Sequence, residues 1–298
     1  MQTKTLLSLV FSGFAFALFA QVPLHLSSEE VQQREAPQET PTAEESATPA
    51  EQSPDAARAQ KPAQEPRSPI LGLTGDEIIK LADEKMVGET ARFLNQMIIK
   101  RPGMEDMIAK YETTFQGRGE KVLLRMLFPP EEAGKDLLLL DENMWQYIPK
   151  LERSMRVAGK QRFMGSDFDN ADLLKVSLVN DYSGTFVGIE KIKGREYFFV
   201  KLEKKRPQAT YDRVDYWVDR EKHLPFREVY YTRSGKKIKT LQYLNVGLVG
   251  NRQVPKTLVM ISELRPNNLT VVQILEGNYN LPVDPTWFTR AYLERKRI

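Results

Sequence analysis

Phe163-Met164-Gly165-Ser166-Asp167-Phe168-Asp169-Asn170-Ala171-Asp172-Leu173-Leu174 interrupts the rhythm of the 298-residue chain near its middle. A bulky apolar pair runs into a glycine, helix-capping residues follow, and paired leucines close the stretch. Gly165 permits a turn that other residues resist, and Ser166 or Asp167 can accept bonds from the free amides of a following helical turn. The stretch is therefore expected to be a strand–helix junction bracketed by Phe163, Met164 and Phe168. On both sides the chain alternates in the manner of strands, so the junction reads as a helical insertion between two runs of sheet.

Downstream, Thr185–Lys191 and Arg195–Glu203 form an expected hairpin about Lys193-Gly194, with Phe198, Val200 and Leu202 on one side. Val214–Asp219, Phe226–Thr232, Lys236–Leu244, Pro255–Leu264 and Leu269–Leu275 continue the series, separated by turn chemistry. Asp284-Pro285-Thr286-Trp287-Phe288 opens a last short helix through Leu293. Upstream, Val122, Leu124, Met126 and Phe128 alternate until Pro129-Pro130 stops the strand, and Leu137–Leu140 and Met144–Ile148 follow as short strands. Earlier still, Thr74-Gly75-Asp76-Glu77 is a capping box followed by Ile78, Leu81, Ala82 and Met86 at helical spacing. A helix is expected from Gly75 to Val87, resuming through Ala91–Ile99 and ending at Arg101-Pro102-Gly103. The expected fold class is α+β: an incomplete antiparallel β-barrel, a curled sheet with helices covering its concave face. A concavity too large for two helices leaves an apolar cavity, the natural place for a ligand.

The N-terminal residues have other signatures. Lys4 precedes an almost wholly apolar run over 5–20, and Ala20 precedes polar sequence, so residues 1–20 read as a cleaved signal peptide. Were the signal retained, the protein would be membrane-associated. Residues 21–69 read as a disordered Pro/Ala/Glu-rich arm; the stretch 27–69 carries nine acidic and four basic residues and few large apolar ones. Residues 70–298 then form one domain. Removing the leader (+1) and the arm (−5) from the chain's +3 leaves the domain at +7.

The motifs of catalysis are missing. There is no Cys, which excludes disulfides, thiolate metal sites and a lipid-modified cysteine. His223 is the domain's one histidine, and no G-x-S-x-G or phosphate-cradling glycine loop occurs. Asp167, Asp169, Asn170 and Asp172 mimic the start of a calcium loop, but Ala171 replaces its glycine and no Glu closes it. No metal, cofactor or catalytic residue is expected, and the chain reads as a non-enzyme. Two basic runs, Lys201, Lys204, Lys205 and Arg206 at the end of one strand and Lys236, Lys237 and Lys239 in another, fit charged solvent faces and edge protection, and nucleic acid is not an expected partner.

Trp145-Gln146-Tyr147-Ile148-Pro149, Arg153, Arg156 and Phe163-Met164-Gly165-Ser166-Asp167-Phe168 together resemble the outer membrane lipoprotein-sorting protein family, whose fold is like that of the periplasmic lipoprotein carrier. Pro129-Pro130 with Gly134, Tyr216-Trp217-Val218-Asp219 with Pro225, and Phe288-Thr289 extend the likeness over residues 70–298. The resemblance implies a half-barrel with a cavity suited to acyl chains, in the periplasm of Gram-negative bacteria, and relatives that accompany RND-type exporters. The leading expectation beside it is a monomeric, non-enzymatic carrier or accessory protein that shields lipid or lipoprotein acyl chains. An interaction module for an RND-type exporter or other envelope protein is the alternative, and a lipid- or glycan-acting enzyme a third. Trp145, Tyr147, Phe163, Met164 and Phe168 are then candidates for the cavity wall or rim. Arg153 and Arg156 are candidates to meet a headgroup or to hold a lid shut through Asp167 or Asp169.

Overall fold

The computed structural model describes residues 72–295. The expected signal peptide (1–20) and acidic arm (21–69) lie outside the described residues.

Helix α1 (Gly75–Met86) starts where its capping box places it: Thr74 accepts from the Glu77 amide, and Glu77 accepts from the Thr74 amide at 2.7 Å. The expected continuation through Ala91–Ile99 is overturned, because Thr90–Lys100 is strand β1. Ala91, Phe93, Asn95, Met97 and Ile99 form its buried face, and antiparallel partners on both sides satisfy the backbone that a helix would have satisfied internally.

Twelve further strands follow: β2 (Met107–Gln116), β3 (Lys121–Phe128), β4 (Leu137–Leu140), β5 (Asn143–Ile148), β6 (Arg153–Val157), β7 (Tyr182–Ile192), β8 (Arg195–Lys204), β9 (Arg213–Asp219), β10 (Pro225–Tyr231), β11 (Lys237–Val249), β12 (Arg252–Ser262) and β13 (Leu269–Tyr279). They make one sheet in the order β6-β5-β4-β3-β2-β1-β13-β12-β11-β10-β9-β8-β7. Two meanders are thus joined by the pairing of β1 with β13. The edge strands β6 and β7 do not pair, so the barrel stays open.

The sheet is curled. Tyr111 on β2 and Tyr216 on β9 line the same cavity, although six strand spacings separate them, roughly 29 Å if the sheet were flat. Alternate residues of all but the shortest edge strand feed one core on the concave side, joined by Ile78, Ile79 and Ala82 of α1 and by Ala171, Leu173 and Leu174 of α2 (Asn170–Leu174). The convex side of β3–β5 carries a separate cluster of Leu123 and Leu138 under Phe288 and Leu293. Those two belong to a 3₁₀ turn (Pro285–Phe288) and helix α3 (Arg290–Glu294), so the expected last helix is broken at Thr289 and covers the outer face.

The topology dictates what covers the inner face. β6 and β7 are consecutive in sequence but lie at opposite edges, so residues 158–181 must cross the open side. This segment contains the 163–174 stretch. The other cover, α1, lies against β7 through two glycines. A Cβ on Gly75 would stand 2.2 Å from the Gly184 carbonyl oxygen, and Asp76 accepts the Gly184 amide at 2.6 Å. Gly75→Ala is expected to lower unfolding stability in urea by about 1–3 kcal/mol, the usual cost of overpacking against backbone. Gly188→Ala, which meets nothing within 4 Å on the same strand, is expected to stay within about 0.5 kcal/mol of wild type.

Candidate functional site

Between the concave sheet, α1 and the crossing segment lies a cavity of about 180 Å³. Its apolar wall includes Phe93, Phe115, Phe168, Leu173, Val272 and Ile274. A second wall is polar: Tyr216, Glu228, Tyr230 and Tyr243 point inward from β9, β10 and β11. An adjoining polar hollow of about 370 Å³ shares Lys175, Ser177 and Asp181 with the cavity and reaches Glu142 and Arg206.

Carboxylates hold the crossing segment down at four places. Asp167 is fully buried; Arg101 reaches one of its oxygens at 2.8 Å and Arg265 the other at 2.9 Å. Thr270 donates its hydroxyl to Asp167 at 2.8 Å and accepts the Asp167 amide at 3.0 Å. Arg101 also donates to the Gly165 carbonyl, so one guanidinium clamps both sides of the turn. At the second place, Lys239 of β11 contacts Asp169 at 3.0 Å and Asp172 at 2.5 Å, and the Tyr211 hydroxyl, with one proton to donate, lies 2.7 Å from Asp172 and 3.1 Å from Asp169. Two carboxylates face one ammonium, and burial pushes the Asp172 carboxyl up. At the third, Asp83 of α1 accepts from the Ser177 hydroxyl at 2.7 Å and from the Leu178 and Val179 amides. Its burial outweighs these bonds and raises its pKa to about 6. At the fourth, Asp181 takes Lys175 at 2.9 Å and Arg206, and Arg206 also grips Glu142 in the β4–β5 turn. That last network joins the two arms of the open sheet.

The sequence-derived candidates are scattered across this arrangement. Phe168 lines the cavity. Phe163 lies behind the wall, packed edge-on to Tyr111 with ring centres 5.9 Å apart, and Met164 packs partly buried on the same core. Trp145 and Tyr147 lie on the convex face with Phe288 and Leu293, and Arg290 covers Trp145. The reason is pleat parity: Met144 takes the inward position, so its neighbours point outward. Arg153 and Arg156 are exposed on edge strand β6, while Asp167 is engaged by Arg101 and Arg265 and Asp169 by Lys239. Ser166 and Asp167 do not cap α2. Asp169 does, and its amide donates to Asp172 at 2.7 Å. Among the described residues no group of three or more His, Asp or Glu is placed to hold a metal ion.

Sequence reasoning does not mark Glu228, Asp83, Tyr211 and Asp181 as site residues, and Lys239, expected on a charged strand surface, is instead buried against Asp169 and Asp172 because its strand turns that position inward. Glu228 is almost wholly buried and accepts from the Tyr230 hydroxyl at 2.6 Å and the Tyr243 hydroxyl at 2.5 Å. Burial raises its pKa to about 7. One signal was present: Glu228 shares the parity of Tyr230, so an inward Tyr also assigns an inward carboxylate.

Two outcomes follow from these contacts. Asp167→Asn removes the charge that two arginines share, and is expected to cost about 2–4 kcal/mol in urea unfolding, with faster amide exchange across 163–174. The second concerns pH. Glu228 and Asp83 have raised pKa values in the folded state, so their stabilising contribution is complete at low pH and is lost as pH rises through about 6 to 7. Glu228→Gln is therefore expected to hold its stability between pH 5 and pH 8 better than wild type, by up to about 3 kcal/mol.

Solved structures share this architecture. A LolA superfamily protein from Nitrosomonas europaea superposes with a TM-score of 0.68 at 21% identity, over 74% of this chain and 99% of that one. A DUF1329 family protein from Desulfovibrio piger gives 0.66 at 20%, over 74% and 97%. A candidate outer membrane lipoprotein-sorting protein domain from Vibrio parahaemolyticus gives 0.65 at 22%, over 74% and 98%. At these identities the likeness is one of fold. No curated protein matches in sequence. Residues 118–295 match the model of a family described as "Uncharacterized protein", and since that span exceeds half of the sequence, the chain belongs to this family.

Proposed function

We propose that the domain is a non-enzymatic periplasmic carrier that shields apolar cargo, lipid or lipoprotein acyl chains, in the cavity beneath residues 158–181. The carrying observation is a cavity reached from solvent under a cover fastened by ion pairs and hydrogen bonds rather than built into the sheet. A cavity of about 150 Å³ admits one benzene ring. The closed volume of about 180 Å³ therefore takes a ring or a few methylenes, and a longer chain enters as the cover lifts. Each buried methylene contributes about 0.8 kcal/mol, so a short stretch of chain gives useful affinity. The fold shared with a LolA superfamily protein and a lipoprotein-sorting protein domain supports the same reading. Residues 1–20 serve in it as the export signal and 21–69 as a tether.

Native mass spectrometry of the protein taken from an envelope fraction tests it. Co-purifying lipid or acylated protein is expected. Ile274→Trp, which fills the cavity from a position that is only half-buried, is expected to abolish the adduct while leaving the melting temperature within a few degrees of wild type. A protein that arrives empty yet pulls down an exporter or another envelope protein would replace the carrier by an interaction module.

A further inference from the structure

The cavity is chemically two-faced. Phe93, Phe115, Phe168 and Ile274 form one side, and the tyrosine-framed carboxyl of Glu228 stands on the other. The cations near the cavity are committed elsewhere. Lys239 is held by Asp169 and Asp172, and Lys175 by Asp181 and the Gln208 carbonyl. No ion pair joins Glu228 to a cation among the described residues, and the acids Asp83 and Asp172 add to the burial that disfavours its charged form. Each oxygen of Glu228 receives one tyrosine hydroxyl and keeps a lone pair for a further donor. A buried carboxylate without a cation is costly, and a ligand that brings a donor or a positive charge offsets that cost. A second carboxylate brought into the same space would add to it.

We infer that the cavity takes an amphiphile whose head group donates hydrogen bonds, an ammonium in first place and a hydroxyl in second, with the head on Glu228 and the apolar part against Phe93, Phe115 and Phe168. This rests on the carrier reading and narrows its cargo. It also runs against the surface: the chain's net charge of +3 attracts anionic amphiphiles from solution, so long-range attraction alone predicts the opposite order.

The test uses the full chain and three ligands of equal chain length, dodecylamine, dodecanol and dodecanoate, titrated by calorimetry at pH 8 below their micelle concentrations. Dodecylamine is expected to bind at least about tenfold more tightly than dodecanoate, with dodecanol between them, as a charge-assisted hydrogen bond predicts. Glu228→Gln is expected to bring amine and carboxylate within about threefold of each other while leaving dodecanol unchanged. Tyr243→Phe, which frees one lone pair of Glu228, is expected to keep or widen the amine preference, and it reads the same site should the Gln variant fold poorly. Dodecanoate binding as tightly as dodecylamine, or a preference that survives Glu228→Gln, overturns the head-group assignment and leaves the carrier intact. Failure of all three ligands, with no adduct on the protein from the envelope fraction, overturns both.

Discussion

The buried carboxylate of Asp167 is the constraint on which the cover depends. Residues 158–181 cross the mouth of an open sheet with almost no regular structure of their own; α2 is five residues long. Such a segment holds its place only if its polar groups find fixed partners. Asp167 receives Arg101 from the end of β1, Arg265 from the β12–β13 loop and Thr270 from β13. All three come from the central seam of β1 and β13, as far as the sheet allows from the free edges β6 and β7. The cover is thereby tied to the middle of the barrel, and its two ends run out to the free edges.

What lies below the cover is neither a plain apolar core nor a polar cleft. Strand parity sets phenylalanines and branched aliphatics against a carboxyl and a group of tyrosine hydroxyls. The acids are shared between two tasks. Asp83, Asp167, Asp169, Asp172 and Asp181 fasten the cover and are paired or bonded accordingly, whereas Glu228 fastens nothing across the mouth; its partners Tyr230 and Tyr243 are on its own and the adjacent strand. Burying an acid without a cation costs stability at neutral pH, and a fold that keeps one at a cavity wall retains a group available to whatever enters.

The sheet was largely legible in the chain, because period-two alternation and turn residues are local signals. β1 was not. Ala91, Leu94, Met97 and Ile98 satisfy helical spacing as well as Ala91, Phe93, Met97 and Ile99 satisfy that of a strand, and only the partners β2 and β13 decide between them. β6 was missed because Arg153-Ser154-Met155-Arg156-Val157 is an edge strand with little apolar surface to bury. The site was legible in composition but not in pairing. Its acids were visible, yet Asp167 meets Arg101 and Asp169 meets Lys239 across more than sixty residues, distances over which no spacing rule speaks. Trp145 and Tyr147 were drawn to the cavity as large aromatics, when the parity set by Met144 already sent them outward.

The order of the strands also has a consequence for how the chain comes together in time. Every pairing but one joins strands that follow one another in sequence. The exception, β1 with β13, sets Ala91 opposite Tyr279 and holds the two meanders in a single sheet. Hairpins close quickly because little chain entropy is lost, whereas a seam of such long separation is slow. During synthesis each meander can assemble as it emerges, but the sheet has no centre until residues 269–279 exist. Asp167 then has no Thr270 to meet, so this one of the cover's four fastenings waits for the strand that completes the sheet, while the partners of the other three, Lys239 among them, precede it.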